Sequence, residues 1–68
     1  MISYVILDDR FNKIIDSKTN EDTINKVIDD NAMVKTQEFK NYFNNKMVYW
    51  YENPKNKYML IYEKEGEI

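Results

Sequence analysis

Hydrophobic positions along this chain follow two periods. Residues 2–7, ISYVIL, form a run of β-branched and aromatic side chains, and a second short run lies at residues 13–17 around Ile14 and Ile15. Runs of this length bounded by polar residues read as strands. The intervening DDRFN reads as a hairpin loop, with Asn12 suited to the left-handed conformation that closes it. The period then changes. In SKTNEDTINKVIDDN, Ile24, Val27 and Ile28 recur at helical spacing, and Glu21 and Asp22 fall in the first turn, where acids complement the helix dipole. With Thr19 as N-cap, this predicts an amphipathic helix over residues 20–30. Its apolar stripe is narrow, so it covers one sheet face and leaves Glu21, Asn25, Lys26 and Asp29 in water.

The middle of the chain, NAMVKTQEFKNYFNNK, fits two patterns. Phe39, Tyr42 and Phe43 are spaced for a helix capped at Thr36, whereas residues 33–39 also suit an extended strand and the asparagines a turn. The spacing of the three aromatics favours a short second helix.

In the last third, ENPKNK separates two apolar segments, with Pro54 setting the first turn position and Asn56 the left-handed one. Residues 47–51 and 58–63 are then antiparallel strands. If Asn53 sits opposite Lys57, then Val48, Trp50, Tyr58, Leu60 and Tyr62 share one face, and Met47, Tyr49, Tyr51, Met59 and Ile61 share the other. A two-residue loop would shift this register by one. Both faces are apolar, although an antiparallel sheet in a small domain ordinarily wets one of them. One helix cannot cover both, so some of this surface is left for the middle segment or for a partner. The expected arrangement places Trp50, Val48 and Leu60 inward against Ile24, Val27 and Ile28. It places Tyr49, Tyr51, Met59 and Ile61 outward, with Lys55 and Lys57 at the rim of the turn. These last six are the candidate partner-binding residues.

The resulting expectation is a single α+β domain over residues 1–68: a small antiparallel sheet of about four strands, in two hairpins, with one or two helices packed on one face. A 68-residue chain hides only about 60% of the surface its unfolded form exposes, so the core is thin. Self-association would add to it, and a homodimer through the sheet face or its edge is expected.

Composition narrows the chemistry by exclusion. There is no cysteine and no histidine, which removes disulfides, thiolate metal sites and the usual general base at neutral pH. Ser3 and Ser17 are the only serines, and Gly66 is the sole glycine, so neither a nucleophile elbow nor a phosphate-cradling loop is available. Asp8 with Asp9 and Asp29 with Asp30 are adjacent carboxylates, but neighbours on a strand point to opposite faces, the pair at Asp29 sits near a helix C-terminus, where the dipole disfavours acid, and no calcium-loop spacing is present. They read as solvated acids. No catalytic, cofactor-binding or metal-binding residue is therefore assigned, and the chain is expected not to be an enzyme.

The formal net charge is −2, and Arg10 is the only arginine, so the guanidinium forks that grip phosphate or guanine are nearly absent. The run at residues 2–7 lacks the basic flank and cleavage site of a signal peptide, and no segment has membrane-spanning length; the expected location is cytoplasmic. Asn, Lys, Ile, Tyr, Phe and Met make up more than half the chain, residues with AT-rich codons, which suggests an AT-rich genome such as that of a low-GC bacterium, a phage or a mobile element. The function these features imply is a non-enzymatic protein-binding module, in concrete form a phage or mobile-element inhibitor that occludes a host protein. The alternative is single-stranded nucleic-acid binding, with the aromatic face stacking bases and the lysines following phosphates.

Overall fold

The structure, a computed structural model, describes residues 1–65. Its elements follow in the order β1 (Ile2–Leu7), β2 (Lys13–Thr19), α1 (Glu21–Asp30), β3 (Val34–Asn41), β4 (Lys46–Glu52) and β5 (Met59–Glu65). The strands form one antiparallel sheet in the spatial order β2-β1-β5-β4-β3, with α1 on one face. The α+β class and the sheet built from hairpins are as the sequence predicts. The middle segment is not a second helix; it supplies a fifth strand.

Its conversion has a clear cause. β4 is apolar on both faces, and as an edge strand it would leave one side of its backbone unpaired; β3 supplies those partners from Val34–Glu52 through Asn41–Lys46. Thr36 is the extra residue of a bulge, and its hydroxyl donates to the Trp50 carbonyl at 3.2 Å. Tyr42 and Phe43, whose spacing suggests a helix, fall in the exposed β3–β4 turn instead.

All three hairpin loops open on an Asx residue whose carboxyl or amide oxygen accepts an N–H two positions on: Asp8 from Arg10 at 2.9 Å, Asn41 from Phe43 at 3.0 Å and Asn53 from Lys55 at 2.8 Å. The left-handed residues are Phe11, Asn45 and Lys57, not the Asn12 and Asn56 expected. In the last loop, Asn53 N–H donates to the Tyr58 carbonyl at 2.9 Å, so Asn53 faces Tyr58 rather than Lys57. Helix α1 is capped one residue later than Thr19: the Asn20 side chain accepts from Thr23 N–H. At its far end Ala32 turns left-handed, and Met33 N–H reaches back to the Ile28 carbonyl at 2.9 Å.

The one-position difference in the last loop decides the sheet. Pairing runs Tyr49–Tyr62, Trp50–Ile61 and Tyr51–Leu60, so β5 keeps its expected orientation while β4 is inverted. Leu60 and Tyr62 face the helix as expected. Tyr49 and Tyr51, expected outward, join them, and Val48 and Trp50, expected inward, lie on the opposite face. The core is Ile24 and Leu60, both with no exposed surface, together with Ile2 and Tyr62, and Tyr4, Ile6, Val27, Ile28, Met33, Tyr49 and Tyr51 pack against it.

Candidate functional site

On the helix side, three tyrosine rings form a stack. Tyr49 and Tyr62 lie 5.0 Å apart between ring centres and Tyr51 and Tyr62 lie 6.1 Å apart, both nearly parallel. The stack is capped by cations: the Lys64 ammonium lies 5.3 Å and that of Lys35 5.9 Å from the centre of the Tyr49 ring. Lys64 also bridges to Glu21 of the helix at 2.8 Å, tying α1 to the sheet over the rings. These rings are structural neighbours of the core, not a free platform.

Burial and the adjacent Tyr51, through its charge and hydrogen bond, hold the Tyr62 phenol well above its usual value near 10. The folded state thus keeps a proton that an unfolded chain releases near pH 10, so this group's contribution to stability is complete below that pH and is lost as pH rises above it. Thermal melts are expected to show a lower transition at about pH 11 than at about pH 8, with a shallower decline in Tyr62→Phe. An identical decline in the variant would assign the alkaline loss to other groups. In the first loop, desolvation opposes the charge on Asp8, yet the N–H groups of Asn12 and Arg10 and the Asn12 amide hold its carboxyl below the usual value. That acid belongs to the turn.

The opposite face has a different character. Across the five strands the register sets Leu7 beside Met59 and Glu52, Val5 beside Ile61 and Trp50, and Val48 beside Phe39. Val5, Leu7, Val48, Trp50, Met59 and Ile61 therefore form one apolar field at the centre of a face that carries no helix among the described residues. Val48 and Met59 are themselves nearly buried by their neighbours, whereas Trp50 and Ile61 are half-buried. Asp16, Lys18, Lys46, Glu52 and Glu63 surround them, both signs interleaved.

Edge strand β3 takes part in this face in an unexpected sense. Its apolar residues, Val34 and Phe39, turn to the uncovered side, and Lys35, Glu38 and Lys40 turn to the helix side. Both apolar residues are about half exposed, at 55% and 45%. A strand whose only role was to extend the sheet would show the reverse pattern, with its polar side to water on the open face.

Of the six residues singled out in the sequence, the structure keeps Met59 and Ile61 together on the open face and sends Tyr49 and Tyr51 to the other. Lys55 and Lys57 lie exposed in the β4–β5 loop. Sequence reading missed Val5, Leu7, Val48, Trp50 and Phe39; the alternation of residues 3, 5 and 7 against 2, 4 and 6 carried a signal for the first two. A separate shallow cleft of about 190 Å³ opens between the end of α1 and the loops, lined by Ile6, Ile15, Val27, Met33 and Tyr58 with amides at its rim. Its lining has no carboxylate or amine, and its single titratable group is the Tyr58 phenol. Among the described residues no cluster of three acidic ligands is placed to hold a metal ion, and no helix is long and apolar enough to cross a membrane. No protein-family model, curated protein or solved structure matches this chain.

Proposed function

We propose that this protein is a small non-enzymatic binding module that docks a protein partner on the open sheet face. The observation that carries this reading is the orientation of β3, which adds Val34 and Phe39 to the apolar field of Val48, Trp50, Met59 and Ile61 where no helix covers them. With Val48 and Met59 packed beneath them, Trp50, Ile61, Val34 and Phe39 give an aromatic and aliphatic surface within a rim of mixed charge, the make-up of a protein interface. Lys55 and Lys57, exposed in the loop that leads into β5, extend the rim. The chain's size, its AT-rich residue usage and its lack of a catalytic set support a specific version: an accessory protein of a phage or mobile element that acts in the cytoplasm by occluding a host protein.

Single-stranded nucleic acid draws less support as the ligand. Tyr49 and Tyr51 are engaged in the stack on Tyr62, and Trp50 has Glu52 two residues on and Glu63 diagonally across on β5, carboxylates that repel phosphate. The test is affinity capture from the lysate of an AT-rich bacterial host, with and without nuclease, comparing the natural chain with Ile61→Lys. A protein retained after nuclease by the first and lost from the second is the expected result. Retention of nucleic acid alone, or equal retention by both chains, would overturn the reading.

A further inference from the structure

We propose that β3 is a self-pairing edge, and that two copies of this chain join through it into one continuous ten-stranded sheet. The proposal is independent of the identity of any other partner. It rests on the order of residues 37–41, Gln-Glu-Phe-Lys-Asn, between the Thr36 bulge and the β3–β4 turn. A two-fold axis perpendicular to the sheet keeps each face on its own side and sets a central residue opposite its own copy. With Phe39 at the centre, Glu38 of each copy faces Lys40 of the other, and Gln37 faces Asn41. Centring on Glu38 or on Lys40 would oppose like charges, and centring on Gln37 would run the pairing into the bulge.

Backbone geometry agrees with this register. The Asn41 carbonyl accepts from Asn45 N–H at 2.8 Å inside the hairpin, so the bonding groups of Asn41, and by alternation those of Phe39 and Gln37, point toward β4. Those of Glu38 and Lys40 then point out to the free edge. Glu38 of one copy and Lys40 of the other would exchange both N–H···O bonds with their charges side by side on the helix side of the sheet. The two Phe39 residues would fall in the non-hydrogen-bonded pair, where facing side chains come closest. Phe39 is 45% exposed in the single chain, and its burial against its copy is the apolar contribution to the contact.

The other free edge, β2, admits a similar charge match, with Asp16 facing Lys18 about Ser17. It places serine against serine where β3 places phenylalanine against phenylalanine, so β3 offers the larger apolar contact. Lysine on an edge strand ordinarily blocks addition of another strand. Here the block falls away for one partner, because a strand offering glutamate opposite Lys40 neutralises it, and the chain's own copy does so twice, each Glu38 carboxylate being shared with Lys35 of its own chain, 2.8 Å away. The Thr36 bulge ends the pairing at Gln37 and keeps the contact short, so the dimer forms at micromolar or higher concentration. In it Val34, Phe39 and Trp50 of both copies line one uninterrupted open face.

Sedimentation equilibrium on the full chain tests this, from micromolar to submillimolar concentration, with thermal melts to establish that each variant folds. The natural chain should exceed 8.3 kDa reversibly with concentration. Glu38→Lys and Lys40→Glu, each alone, set like charges opposite at both symmetry-related pairs and should weaken self-association roughly tenfold. An equimolar mixture of the two variants matches every charge again and should form a mixed dimer at least as tight as the natural one. An ideal monomer throughout for the natural chain, or a dimer that ignores both variants and is lost instead in Asp16→Lys, would overturn the proposal.

Discussion

Leu60→Ala is expected to leave no cooperatively folded protein at room temperature. Leu60 has no exposed surface, sits at the centre strand of the sheet, and shares its cluster with Ile24, Ile2 and Tyr62. Removing its three terminal heavy atoms costs about 2–5 kcal/mol through lost burial and the cavity left behind. Domains of ordinary size hold about 5–15 kcal/mol in total, and one with four residues in its central cluster lies at the low end of that range or below it. The deletion therefore consumes most of the margin. The control is Val5→Ala on the open face, where loss of two methyl groups from a half-buried side chain costs about 1 kcal/mol. Far-UV circular dichroism through a urea titration distinguishes them. A Leu60→Ala protein whose urea midpoint matches that of Val5→Ala would contradict the assignment of the core.

Adjacent aromatics on β4 are expected to separate stability from binding. Tyr51 packs against the helix-side core and stacks on Tyr62, while Trp50, one residue earlier, lies on the open face beside Ile61. Tyr51→Ala should cost about 2–4 kcal/mol, a core truncation reduced for partial exposure, and bring the domain close to unfolding. Trp50→Ala removes a larger side chain for about 1–2 kcal/mol, because much of what it covers is water-facing in the isolated chain. It should melt cooperatively and fail in partner capture. Proton spectra with full chemical-shift dispersion from Trp50→Ala, beside collapsed dispersion from Tyr51→Ala, is the expected pair of results. The opposite pair would mean that β4 is inverted, with Trp50 and not Tyr51 on the helix side.

The same two residues show how far the sequence could be read. The expected side of β5, with Leu60 inward, is the one the structure shows, yet its two faces end alike, in Glu63 and Lys64. β4 has no asymmetry either: Met47, Val48, Tyr49, Trp50 and Tyr51 are all apolar, so nothing local says which of two alternating sets is inside. The question passed to the loop, and there a single position mattered. Asn56 is the better left-handed residue by type, yet Lys57 takes that conformation, because Asn53 closes the loop with its side chain on Lys55 and Asn56 and its backbone on Tyr58.

Local chemistry by itself determined the β1–β2 hairpin, the amphipathic helix with Ile24, Val27 and Ile28 inward, the β4–β5 hairpin and the small α+β class. Each of these follows from a periodicity or a turn within about a dozen residues, where near neighbours dominate the energetics. Tertiary structure alone decided that residues 34–41 are a strand and not a helix. Their aromatics carry helical spacing, but the unpaired side of β4 offers backbone partners that no isolated segment has. It also decided which aromatics became core, because a strand's inner face is defined only relative to the strand it pairs with, and a one-residue change in that pairing exchanges the two faces entirely.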